Sequence, residues 1–186
     1  LNTNKKKIFH ISLMVDKIKN ITGILKALYN IIHNQKRDDF ELHLIGEGND
    51  SEKIKNVAKQ LNLYNSYVFF HGIKPPEEVY GYLQEADFLI TNSNYETFSL
   101  ATVEALACGI PVIATKCGGP EDFITDETGL LIEPGNEKQL ELAILYMLDN
   151  SHRYEKKRLM EYAKERFNSY TVGKQLYEIY NRLKNK

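Results

Sequence analysis

Short apolar runs alternate along this chain with longer stretches of helical period, and no other feature restricts the fold as much. KIFHISL (7–13), FELHLIG (40–46), YVFFHG (67–72), DFLIT (87–91), IPVIAT (110–115) and GLLIEP (129–134) read as strands. Between them, residues 20–34, 50–61, 75–86 and 99–108 read as helices; the third of these opens on a proline pair followed by acids, a helix-start signature. Strand–helix alternation at this spacing implies βαβ units, and near-continuous apolar strands imply a parallel sheet covered on both faces. The expected fold class is therefore α/β, a Rossmann-like three-layer α/β/α arrangement on a six-stranded parallel sheet. After Pro134 the pattern becomes all-helical, over 136–149, 151–167 and 171–184, and no internal repeat or linker interrupts it. The whole of 1–186 then reads as one domain with a helical tail from about 136.

The totals exclude several classes. A chain of 186 residues with 42% hydrophobic content can bury one sizeable core. Its 24 basic and 25 acidic residues nearly cancel, so no global attraction to nucleic acid or anionic lipid is expected. The basic runs at 5–7 and 156–158 read as solvated patches. Cys108 and Cys117 form no CxxC pair, which suits small core residues in a reducing, cytoplasmic setting. No run reaches the roughly 18 apolar residues a spanning helix needs, so a soluble chain is expected. The last helix carries Val172, Leu176, Ile179, Tyr180 and Leu183 at helical spacing. That stripe fits either the chain's own sheet or a partner domain.

In an open parallel sheet, ligands bind beyond the carboxyl ends of the strands, close to helix N-termini. Three loops are expected there: GEGND (46–50), TNSNYETFS (91–99) and KCGGPED (116–122), each leaving a strand and entering a helix. Gly46, Gly48, Gly118 and Gly119 would let backbone approach a ligand, and unpaired N–H groups at the helix starts suit a phosphate. In the second loop, Thr97 or Ser99 is the candidate cap. Glu104 then lies about five residues into the helix, roughly 7–8 Å along its axis. That is about the reach from a phosphate to the adjoining ribose, whose paired hydroxyls suit an acceptor-only carboxylate. Glu104 sits among LATVEALAC, apolar nearly all round, so a freely solvated position is not expected. Glu96 precedes the helix, on the phosphate and donor-sugar side.

At these residues the chain resembles the retaining glycosyltransferases of family 4, which have the two-domain GT-B fold. The resemblance rests on Glu96 and Glu104 with seven residues between them, EALACGIPVIAT, CGGPEDFI and TGLLIEPGN, and on their order across roughly 7–150. It implies the C-terminal, nucleotide-sugar-binding half of such an enzyme, one half of a GT-B fold, with the N-terminal acceptor-binding domain outside this chain. It also implies roles. Glu104 would hold the ribose hydroxyls, Glu96 would lie near the donor sugar and phosphate, and the backbone of Phe98, Ser99 and Leu100 would meet the diphosphate. The loop HGIKP (71–75) would contact the base around Ile73. Lys19 would neutralise the diphosphate, and Glu96 and Lys19 would be the catalytic residues.

Two departures stand out. Met14 occupies a position where the family commonly carries an arginine, and Thr97 and Ser99 occupy positions where many members have glycine. The implied reaction moves a sugar from a UDP- or GDP-linked donor to an acceptor with retention, in glycan or polysaccharide synthesis. Any membrane contact would be peripheral and made through the other half. No cofactor or metal is implied: there is no Asp-x-Asp pair, and His10, His33, His43, His71 and His152 lack ligand spacing, with His71 notable only for its place beside the base loop. A GT-B nucleotide-sugar epimerase and a nucleotide-binding module inactive in isolation remain alternatives. A nicotinamide oxidoreductase fits poorly, because GEGNDS lacks the G-x-G-x-x-G spacing and follows the second strand.

Overall fold

The computed structural model describes residues 5–184. Six parallel strands form one sheet: β1 (Lys6–Ile11), β2 (Phe40–Ile45), β3 (Val68–Phe70), β4 (Phe88–Thr91), β5 (Val112–Thr115) and β6 (Gly129–Ile132). Their order across the sheet is β3-β2-β1-β4-β5-β6. The helices are α1 (Asp16–Lys19), α2 (Ile21–Gln35), α3 (Ser51–Gln60), α4 (Pro76–Gln84), α5 (Leu100–Ala107), α6 (Glu137–Asn150), α7 (Lys156–Phe167) and α8 (Ser169–Lys184). This is the Rossmann-like α/β/α fold expected from the alternation.

Neighbouring strand residues point into different layers, as the two-residue strand period requires. Ile8, Leu42, Leu44, Ile90 and Ile113 pack with α2, α3 and α6 in one core. Phe9, Ile45, Leu89, Val112 and Ala114 pack with α4, α5 and α7 in the other. Both faces are covered, which is why the strands read as continuous apolar runs. Lys6 and Lys7, part of the basic run at 5–7, are tied to Asp87 and Glu85 at 2.6 and 2.5 Å, so this patch is largely neutralised. Cys108 and Cys117 are buried and unbonded, and burial raises both thiols above their ordinary range.

The structure differs from the sequence reading in three places and decides between the two readings of the last helix. The helix expected over 20–34 is α2, but a separate short helix, α1, precedes it unexpectedly and ends at Asn20, whose backbone is left-handed (φ 47°). The segment 151–167 starts with a three-residue 3-10 turn, Ser151–Arg153, before α7. KCGGPED enters only a four-residue 3-10 turn, Gly119–Asp122, so one of the three expected loop-to-helix junctions does not exist. Finally, α8 does not pack on the sheet. It buries none of its described residues, and Leu176, Tyr177, Ile179, Tyr180 and Leu183 all lie exposed. By contrast α6, of similar length, buries Leu140, Ala143, Ile144, Met147 and Leu148. Residues 185 and 186, the end of the expected tail, lie outside the described residues.

Candidate nucleotide-binding cleft

The strand order reverses between β1 and β4, and a cleft opens there. β1 and β4 pair only at Ile8↔Phe88 and Phe9↔Leu89. Beyond Phe9 the two strands part. The opening is a cleft of about 440 Å³ whose walls include His10, Ser12, Lys19, Glu47, Ile73, Lys74, Glu96 and Glu104.

Lys19 reaches this cleft because a buried aspartate fixes the short helix before it. Asp16 accepts from Thr22 N–H at 2.9 Å and Thr22 Oγ1 at 2.8 Å, and Lys53 Nζ lies 3.2 Å away. Burial pushes the Asp16 carboxyl up, but these hydrogen bonds and Lys53 outweigh it and leave the carboxyl below its ordinary value. Asn92 Nδ2 donates to Asn20 O and Asn94 Nδ2 to Lys17 O, so the loop after β4 is bonded to the α1–α2 junction. The result brings Lys19 Nζ to 2.5 Å from Glu96 Oε1, which also accepts from Ser93 Oγ at 2.8 Å. The two residues assigned to catalysis thus form one pair, with the Glu96 side chain only 11% exposed.

The backbone at Glu96 is held as firmly as its side chain. Glu96 N–H donates to Cys117 O, and Gly119 N–H donates to Glu96 O at 2.8 Å. A Cβ on Gly118 would lie 2.3 Å from Glu96 O, and one on Gly119 would lie 2.4 Å from Phe98 Cα. These glycines make room for neighbouring backbone. Gly46 and Gly48 behave alike: added Cβ atoms would lie 2.0 Å from Ser12 O and 2.6 Å from Met14 O. Gly46 borders the cleft, whereas Gly48, Gly118, Gly119, Thr97 and Phe98 do not. The Phe98 ring packs tilted against Phe123 and edge-on against Phe167, each centroid 5.7 Å distant.

Helix α5 starts at Ser99, but neither Thr97 nor Ser99 caps it through its side chain. Ser99 instead takes a left-handed backbone (φ 68°), a conformation glycine adopts more easily. Its hydroxyl pairs with Thr102 Oγ1 at 2.8 Å, which in turn meets Thr91 Oγ1 at 3.0 Å. The first N–H groups of α5 are left without intrahelical acceptors, as at any helix start. Leu100, Ala101 and Glu104 border the cleft below them. Glu104 is exposed, contrary to the expectation drawn from its apolar neighbours. Thr102, Val103, Ala105 and Leu106 form the buried face, while Leu100, Glu104 and Ala107 form an outward stripe. Its carboxyl has no side-chain partner among the described residues, and the surrounding apolar atoms still raise its pKa through desolvation.

Met14, at the arginine position, is 1% exposed and packs in the α2 core, with Ser51 Oγ 3.5 Å from its sulfur. Lys74 is a second cation on the cleft wall, 3.0 Å from Glu78. His71 Nε2 lies 2.9 Å from His43 Nδ1, and burial lowers the pKa of both rings. No group of three or more His, Cys, Asp or Glu among the described residues is placed to hold a metal ion. Sequence reasoning missed His10 and Ser12 as cleft residues, and it named the loops that carry Glu47, Lys74 and Ser93 without singling out those side chains. The only available signal for His10 and Ser12 was a polar pair spaced i, i+2 at the end of an apolar strand, hence on one face.

Comparison with known proteins gives the family and the fold relatives of this chain. The model of the family "Glycosyl transferases group 1" covers residues 1–166. N-acetyl-alpha-D-glucosaminyl L-malate synthase from Bacillus anthracis is 30% identical over 183 residues, 97% of this chain and 46% of that protein. Among solved structures, a point mutant of S. aureus TarM in complex with Fondaparinux, alpha-GlcNAc-glycerol and UDP superposes with a TM-score of 0.84 at 26% identity, over 96% of this chain and 36% of that one. Sucrose-phosphate synthase from Thermosynechococcus elongatus gives 0.84 at 28% identity, over 98% of this chain and 46% of that one. The chain therefore spans about a third to a half of these three proteins. No helix among the described residues is long and apolar enough to cross a membrane. With its fold and its matching family model, the chain belongs to the group 1 glycosyltransferases.

Proposed function

We propose that this chain is the donor-binding half of a family 4 retaining glycosyltransferase. The observation that carries the reading is the meeting, at one cleft, of the Lys19–Glu96 pair, the α5 N-terminus and the unpartnered Glu104. A diphosphate seated at the start of α5 would face unpaired N–H groups, the helix dipole and the Lys19 ammonium. Glu104, one turn further along, would accept from the ribose hydroxyls. The backbone of Phe98, Ser99 and Leu100 would flank the diphosphate, and Ile73 would lie against the base. The presence of UDP in the TarM complex supports a nucleoside diphosphate as ligand.

In transfer, the bond between the anomeric carbon and the diphosphate oxygen breaks and its electron pair stays on the diphosphate. Lys19 and the α5 N–H groups stabilise that charge. The acceptor hydroxyl oxygen bonds the anomeric carbon on the face the leaving group held, and its proton passes to the departing diphosphate oxygen on that same face. The acceptor would be bound by a second, N-terminal domain, and we assign the exposed apolar face of α8 to contact with that domain. A stripe holding Leu176, Ile179, Tyr180 and Leu183 is costly to leave in water.

A thermal-shift panel tests the donor reading. UDP or GDP is expected to raise the Tm of the 186-residue chain, and UMP or GMP is expected to raise it much less, because the diphosphate supplies most of the binding. Absence of a shift with every nucleoside diphosphate would contradict it. Retention is tested on the full-length enzyme by the anomeric configuration of the product. Release of an epimerised nucleotide sugar without consumption of acceptor would replace transfer by epimerisation.

A further inference from the structure

At the gap between β1 and β4, the backbone ladder is replaced by a side chain. His10 is 1% exposed and bridges the parted strands, its Nδ1 2.8 Å from Ile90 O and its Nε2 2.7 Å from Ser12 Oγ. A carbonyl can only accept, so Nδ1 carries a proton in every state. Neutral His10 must then accept at Nε2, and Ser12 spends its hydroxyl proton on the ring. Ser12 borders the cleft and in this state offers only lone pairs to it.

A proton on Nε2 reverses the bond. His10 then donates to Ser12 Oγ, and the Ser12 O–H turns to donate into the cleft. One proton thus converts Ser12 from an acceptor to a donor and adds a positive charge behind it. Lys19 and Glu96 are the charged groups that act on the ring, and the strand neighbours Leu44 and Ile90 carry none. In the free protein burial holds His10 neutral, with its pKa lowered to about 4; Lys19 lowers it further, while the Ile90 bond and Glu96 oppose the shift. An anion engaging Lys19 offsets the one charge that disfavours the imidazolium and adds another that favours it.

We propose that His10 and Ser12 form a proton-linked diphosphate contact, in which binding of the nucleoside diphosphate sugar draws a proton onto His10 and turns the Ser12 hydroxyl toward phosphate. The inference rests on the donor-site reading above, and it makes His10 a positioning residue acting through Ser12. The sign follows from linkage: the ligand prefers protonated His10, so affinity rises as pH falls from the bound-state pKa toward the free-state one.

The test is calorimetric titration of the 186-residue chain with UDP-glucose and GDP-mannose at pH 6, in buffers of differing ionisation enthalpy. Diphosphate diesters do not titrate in this range, so any proton exchanged belongs to the protein. A net uptake of roughly 0.3–0.8 proton per ligand is expected, with affinity rising about three- to tenfold from pH 7.5 to 5.5. His10→Asn, which keeps a donor for Ile90 O, and Ser12→Ala should each abolish most of the uptake and flatten the pH profile. The side-chain nitrogen shifts of His10 in the wild type give a second readout independent of any substitution; they should change from the Nδ1–H tautomer to imidazolium on binding. Tight binding with no proton uptake, or uptake unchanged in His10→Asn, overturns this inference and leaves the donor site standing. Absence of binding by either nucleotide sugar overturns both.

Discussion

The two carboxylates of the β4–α5 segment are built in opposite ways. Glu96 is nearly buried, takes two donors on one oxygen and has its backbone clamped between Cys117 and Gly119. Glu104 stands on the outward stripe of α5 with no side-chain partner among the described residues. In the proposed donor site, one is finished before a ligand arrives and the other is left for the ligand to complete. Preorganisation at the Glu96 end keeps the Lys19 cation in place without reorganisation, which is what an electrostatic stabiliser of a leaving group needs. At Glu104, an acceptor without a partner costs little while it remains wet, and under the proposed reading it would gain its bonds on binding.

That contrast can be broken in graded ways. The largest effect is expected from Gly118→Ala, because its Cβ would meet Glu96 O at 2.3 Å on a backbone with φ 117°. A loss of about 2–4 kcal/mol in chemical denaturation is expected, and nucleotide affinity should fall with it although Glu104 is untouched. Glu96→Ala leaves Lys19 without its counter-charge and should cost about 2 kcal/mol in the ligand-free chain. Glu104→Ala should stay within about 0.5 kcal/mol of wild type in the same experiment. Equal destabilisation by the two substitutions would erase the distinction.

Asp16 sharpens the preformed half, since it anchors the helix that carries Lys19. Asp16→Asn is expected to cost about 1–2 kcal/mol at pH 7. The folded carboxyl lies below its ordinary value of 3.8, so its contribution is present above that pH and is lost as pH falls through the folded pKa. Denaturation curves of wild type and variant should therefore converge in acid, and a constant gap down to about pH 2 would count against it. The smallest effect is expected at Ser99→Gly. Relief of the left-handed backbone, about 1 kcal/mol, is offset by loss of the hydroxyl bond to Thr102 and by a more flexible unfolded chain. A change within about 0.5 kcal/mol is expected, and a loss above about 1.5 kcal/mol would mean the hydroxyl chain matters more than the strain.

Much of this architecture is legible in the residues alone. Buried parallel strands have a composition that little else produces, and DFLIT and IPVIAT fall on β4 and β5 to within two residues. The switch-point cleft follows from strand order, and the β4–α5 loop is found where the alternation puts it. What escaped has physical reasons. The short helix α1 escaped because four residues carry too little apolar period to register, and left-handed Asn20 ends it just before α2. The exposure of Glu104 was masked because Leu100 and Ala107 share its stripe and made the helix look apolar all round. The stripe on α8 shows the same limit, since a helical period marks which face wants cover but not what supplies it. His10 and Ser12 escaped because the tie to Ile90 is made across 80 residues of chain and exists only once β1 and β4 have parted.

The central claim is that Glu104 receives the ribose of a nucleotide whose diphosphate sits at the start of α5. Its most direct test is a double cycle in calorimetry, wild type and Glu104→Gln against UDP and 2′,3′-dideoxy-UDP. If the carboxylate binds the ribose hydroxyls, Glu104→Gln should weaken UDP by about 10–100-fold and the dideoxy analogue by less than about threefold. Equal loss for both nucleotides, or no loss for either, would contradict the placement of the ribose on Glu104.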